Sequence, residues 1–169
     1  MRRPYLRASL LGAVDGVISS FVIVVSASAL HSASARTVVL VVGGASLFGD
    51  AFSMGASEYL SSSSEQYSGS RAGEEGGDTP APWKLGLACL GSFLLAGSLP
   101  LALYTWTKAV VSTALFSLVE LMLLGALRTR VSGEGLLKGV LQTSSVGGVA
   151  GLVAWLVAVA VLRLEEEQR

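Results

Sequence analysis

Charge is scarce in this chain. Of its 169 residues only 14% are Asp, Glu, Lys or Arg, against 51% apolar, where a water-soluble domain carries about a quarter charged. Too few charges exist to cover the surface of a single soluble domain, and that class is excluded. Cysteine and histidine occur once each, as Cys89 and His31, which excludes a disulfide framework, a thiolate zinc site and a histidine cluster. Cys89 lies in an apolar run and reads as a small packing residue; His31 stands alone in a short connection and reads as no metal ligand. Twelve acidic side chains balance twelve basic ones, with no basic cluster, so nucleic acid is not an expected partner. The sequence holds no phosphate-cradling glycine loop and no nucleophile–base pair, so neither ATP-driven chemistry nor an enzyme is expected.

What is abundant is uninterrupted apolar sequence. Residues 85–107 and 139–162 carry no charge at all, and each is longer than the about 20 residues that cross a hydrocarbon core. Apolar runs read against polar punctuation give five spans, at 8–30, 37–60, 84–105, 109–127 and 136–162. The fold class is therefore all-α, a polytopic membrane protein with five transmembrane helices in one domain. Short links at 31–36 and 105–108 make antiparallel hairpins of spans 1 and 2 and of spans 3 and 4. The link at 65–83, rich in Ser, Gly, Glu, Asp and Pro, reads as a flexible polar loop without a core. The first span superficially imitates a secretory signal, with Arg2 and Arg3 before it and Ser-Ala-Ser-Ala at 26–29. Its length and Asp15 argue for a retained helix instead.

Orientation follows from Lys and Arg, which concentrate on the cytoplasmic side. Arg2, Arg3, Arg7, Arg71, Lys84, Arg128, Arg130 and Lys138 lie on the side of the N-terminus; Arg36, Lys108, Arg163 and Arg169 lie opposite. This places the N-terminus, the 65–83 loop and the 128–138 turn in the cytosol, and the acidic run Glu165 to Glu167 on the far side as a solvated tail. Trp83 at one end of span 3 and Tyr104 and Trp106 at the other sit where interfacial aromatics belong. Trp155, inside span 5, reads as a packing residue.

An ionisable side chain inside a span is costly unless it meets a partner or water, so each is a functional candidate. There are four: Asp15, Asp50, Glu58 and Glu120. Asp50, Met54 and Glu58 recur at i, i+4 and i+8 on one helical face, and Ser46, Ser53, Ser57 and Ser61 widen that polar stripe. Such a stripe faces protein or a water path, not lipid. At a rise of about 1.5 Å per residue, Asp15 and Asp50 each fall about 10 Å from the cytosolic face, Glu120 at about 13 Å, and Glu58 close to the interface. Carboxylates at one depth form a cation site that protons also occupy, because like charges in a low dielectric do not all stay ionised unaided. The thioether of Met54 tilts an oxygen site toward a first-row transition ion. Glycines at Gly12-x-x-x-Gly16, Gly43-Gly44 and Gly147-Gly148-x-x-Gly151 mark close helix approaches. The first pair flanks Asp15 and places it at a helix crossing, within the chain or across a dimer axis.

Two segments carry a resemblance. Leu-Gly-Ala-Val-Asp-Gly-Val-Ile-Ser-Ser at 11–20 and Gly-Asp-Ala-Phe-Ser-Met-Gly-Ala-Ser-Glu-Tyr-Leu-Ser at 49–61 resemble the paired signatures of the vacuolar iron transporter family. A weaker likeness runs through 97–101 and 124–127. The resemblance implies a five-helix homodimer whose path follows the two-fold axis and which moves ferrous iron, sometimes manganese, out of the cytosol in exchange for protons. It implies that Asp15 and Met54 line that path, that Asp50 and Glu58 belong to the metal site, and that Glu65 stands at the cytosolic entrance. Glu120 matches no motif of the family and is a proton-coupling candidate, with Asp15 and Asp50, on its position alone. Family members often have Glu or His before the first helix, where this chain has Arg2-Arg3-Pro4-Tyr5-Leu6-Arg7. The iron transporters proper insert a glutamate-rich helical domain between helices 2 and 3, where this chain has only residues 65–83.

The expected function is proton-coupled export of ferrous iron or manganese into a vacuole-like or external compartment, with no resident cofactor. The expected location is the membrane of a vacuole or other acidic organelle, or the plasma membrane if the chain is prokaryotic. The alternative is a transport-inactive assembly or regulatory protein that keeps the transporter framework.

Overall fold

Each apolar run continues as helix until a residue that tolerates a turn ends it. The computed structural model describes residues 3–30, 35–67 and 81–168. Among these, all regular structure is helical, and five helices are long and apolar enough to cross a membrane. They are α1 (Arg3–Ala27), α2 (Ala35–Tyr67), α3 (Pro82–Thr107), α4 (Val110–Ser132) and α5 (Leu136–Glu167). Pro82 opens α3 at the position where a missing N–H costs nothing. Lys108 closes it in the left-handed conformation, φ 55°, its N–H donating to the Tyr104 carbonyl at 2.8 Å. Gly133, φ 73°, closes α4 in the same way on Thr129. These caps reverse the chain within a few residues, so α3, α4 and α5 alternate in direction.

The helices are held by close approach of small residues, the mode available where lipid removes the hydrophobic drive between helices. α1 is the centre of the bundle and touches every other helix. Its most extensive contact is with α3, where Gly12 lies against the Cys89 carbonyl and Gly16 against the backbone of Phe93 and Gly97. The crossing at Gly12 and Gly16 is therefore made within the chain, by α3. α2 meets α3 through Gly55 and Gly86, α4 meets α5 through Gly125 and Gly139, and Gly151 of α5 receives the Phe21 ring of α1. One core cluster joins Val24, Ala27, Val39, Leu101 and Tyr104; another joins Ala8, Leu85 and Cys89. Cys89 is fully buried and packs as its apolar run implies.

The buried Ser20 hydroxyl donates to the Gly97 carbonyl at 2.6 Å, a polar tie between α1 and α3. Ser20→Ala should cost about 1 kcal/mol, the usual worth of such a bond between membrane helices. A lowered thermal midpoint of the detergent-solubilised protein checks this.

Several expectations shift. α2 continues past residue 60 to Tyr67, which moves Glu65 from the loop onto the helix; residues 68–80 of that link and His31 lie outside the described residues. Helical backbone needs no apolar side chains once it leaves the bilayer, so the hydropathy boundary stopped short. Tyr104 is a core residue, 6% exposed, whereas Trp106 at 91% and Trp83 at 55% suit an interface. Lys84 stacks its ammonium 5.5 Å from the Trp83 ring. Trp155 keeps 40% of its surface exposed, because α5 buries only its glycine and threonine edge.

Candidate metal site between the first two helices

The contact register fixes the depth of each acid. α2 runs antiparallel to α3: Gly55 backs onto Gly86 and Leu90, and the Leu47 side chain reaches Gly97. Asp50, between Leu47 and Gly55, therefore comes level with Phe93. Gly16 of α1 rests on that same Phe93, so Asp15 and Asp50 occupy one layer, as the helical rise implies. Each is half-buried, and the Asp15 carboxylate lies within reach of the charge on Asp50.

Met54 stands one turn from Asp50 toward the end that holds the start of α1. It is half-buried and packs against the cluster of Ala8, Leu85 and Cys89, which joins α1 and α3. Glu58 follows one turn later, half-buried, its Oε1 accepting from the Ser62 hydroxyl at 3.5 Å. Glu65, two turns beyond Glu58, continues the row along the same helix face. Ser53, Ser57 and Ser61 of the same helix are exposed, and the Ser53 hydroxyl bonds back to the Asp50 carbonyl at 3.0 Å. The polar stripe read from the sequence is thus open in the single chain.

Glu120 does not join the layer. Leu121 reaches Gly147, next to Ile18 of α1, which sets Glu120 about one turn, roughly 5 Å, beyond Asp15. Its Oε2 is buried without a hydrogen-bond partner among the described residues. Three acids at nearly one depth become a level pair and a third about one turn beyond, because a depth counted from each span's own boundary does not fix how α4 is shifted along α1. Sequence reasoning also passed over Thr143 and Ser144 of α5, whose buried hydroxyls have no partner among the described residues. Ser144 lies level with Asp15, three residues before the Gly147–Ile18 contact. Hydroxyls in a long apolar run carry little signal, since most bond their own helix backbone.

Among the described residues no group of three or more His, Cys, Asp and Glu is close enough to hold a metal ion. One chain brings two carboxylates, Asp15 and Asp50, to one level, with the Met54 thioether one turn from Asp50.

The sequence profile of the VIT family matches residues 6–75 and 70–159, which takes in both motif helices and the acid pair. The chain belongs to the VIT family. Membership makes it a multi-pass membrane protein of a metal-ion transport family, and not one of an enzyme family. No curated protein matches the chain.

Proposed function

We propose that this VIT family chain exports divalent transition-metal ions, ferrous iron or manganese, from the cytosol into an acidic organelle or out of the cell in exchange for protons. The observation that carries this reading is the Asp15–Asp50 pair, two carboxylates at one level of the helix bundle. Two like charges in low dielectric call for a cation or for protons, so binding of one releases the other. Protons arriving from the acidic side neutralise the pair, free the metal and permit the empty carrier to return. Met54 adds a soft sulfur that favours a transition ion over magnesium or calcium. Glu58 and Glu65 collect ions at the cytosolic end of α2. Glu120, half-buried with its Oε2 lacking a hydrogen-bond partner among the described residues, is the second proton-coupling group.

The reading also takes a homodimer, with the open Ser53–Ser57–Ser61 stripe of α2 turned to the two-fold axis. A second copy then contributes its own Asp15, Asp50 and Met54 and completes the ligand set. The eight Lys and Arg on one side against four on the other put the N-terminus in the cytosol.

The test is uptake of ferrous iron and manganese into proteoliposomes with an imposed pH gradient. Uptake that follows the gradient and collapses with it supports the exporter. The second reading, a transport-inactive assembly protein, has one observation on its side, the absence of a three-residue metal cluster among the described residues; inserted dimer that moves neither ion favours it. Met54→Ala should lower ferrous iron uptake on the order of tenfold and manganese uptake less, because only the softer ion gains much from sulfur. Competition between the two ions at fixed protein reads the ratio.

A further inference from the structure

α2 is not a regular helix throughout. Val39–Gly43 form a π-helical turn, and the Gly44 N–H is shared between the carbonyls of Leu40 and Val41. Such a turn inside an α-helix widens the backbone and frequently marks a functional position. Two glycines then divide the work. Gly43 is buried and lets α2 press on α3, since a Cβ there would meet the Leu101 side chain at 2.9 Å. Gly44 has nothing within 4 Å of where its Cβ would stand. Between the widened turn and the last turns of α3 lies a groove of about 430 Å³, walled by Val39, Leu40, Gly44, Leu101 and Ala102. Its rim carries Arg36, Thr105 and Trp106.

The groove therefore has an apolar trough along the membrane-spanning part of α2 and α3 and, at Arg36, a cationic mouth where both helices reach the interface; the Thr105 hydroxyl there donates to the Leu101 carbonyl of its own helix at 2.7 Å. Arg36 is exposed, and among the described residues no carboxylate pairs with it. Trp106, 91% exposed, stands at the mouth as an interfacial aromatic does. Guanidinium binds phosphate oxygens in bidentate fashion, and the volume lies within the about 300–1,000 Å³ of small-ligand sites. We propose that this groove seats one anionic phospholipid of the leaflet at the α1–α2 turn, its phosphate on Arg36 and an acyl chain along Gly44 and Leu101. The charge of the mouth selects the headgroup, and the missing side chain at Gly44 makes room for the chain.

The experiment is electron paramagnetic resonance of the full chain in phosphatidylcholine bilayers doped with spin-labelled phosphatidylglycerol or, separately, spin-labelled phosphatidylcholine. Wild type should immobilise phosphatidylglycerol about fivefold more strongly than phosphatidylcholine, the scale of one cation at an anionic surface. Arg36→Gln should bring the two lipids to the same level. Gly44→Leu, whose side chain enters open space, should remove the preference with Arg36 intact. Lys108→Gln, at the same end of the bundle but outside the groove, should leave it unchanged. Helix content and a monodisperse profile equal to wild type show that each variant folds. No preference in wild type, a preference that survives Gly44→Leu, or a loss with Lys108→Gln equal to that with Arg36→Gln would each overturn the proposal.

Discussion

Asp15→Ala should abolish gradient-driven uptake of both ferrous iron and manganese. Removing an outer-shell partner of a metal ligand already costs about 10–100-fold, and Asp15 is proposed as a ligand and a proton carrier at once. A loss of at least about 100-fold is expected. The substitution is mild for the fold: Asp15 is half-buried, and its neighbours Gly12 and Gly16, which make the α1–α3 crossing, are untouched. Asp15→Asn keeps shape and hydrogen-bonding capacity while removing the charge, so it separates the two roles. Uptake by Asp15→Asn near background, with wild-type thermal midpoint, supports a charge-dependent site. Wild-type uptake by both variants would remove Asp15 from the path and, with it, the reading built on the acid pair.

The largest structural effect is expected at Gly12→Val. A Cβ at Gly12 would overlap the Cys89 carbonyl oxygen and fall 2.7 Å from Ser92 Oγ. The carbonyl is backbone in the middle of α3 and has no rotamer with which to move aside. Overpacking of a formed core costs about 1–3 kcal/mol, and two helix axes forced apart along the most extensive contact of the bundle should exceed the upper figure. Gly12→Val is expected to reach the membrane poorly and to lose monodispersity in detergent, with a midpoint many degrees below wild type. Gly91→Ala is the matched control, since nothing lies within 4 Å of its Cβ position, and it should behave as wild type. Equal behaviour of the two variants would mean that α1 and α3 do not meet through Gly12.

The number of spans, their helical nature and the layer shared by Asp15 and Asp50 were legible in the residues alone. Length against bilayer thickness, period 3.6 and a fixed rise per residue are local quantities, legible without a partner. The motif residues were legible too, because Asp15, Asp50, Met54 and Glu58 break an apolar background in which any polar group stands out. The contacts between helices were needed to set α4 against α1, which separated Glu120 from the acid pair, and to give the Gly12–Gly16 face to α3. The structure likewise drew Tyr104 into the core and carried Glu65 onto α2. The widened turn at Val39–Gly43 has no signature beyond two glycines, since a π-turn answers to how α2 must bend over α3. Those outcomes rest on the pairing of small residues across helices, Gly16 with Gly97 and Gly55 with Gly86, and a small-residue face fits several partners equally well until all five helices are assembled.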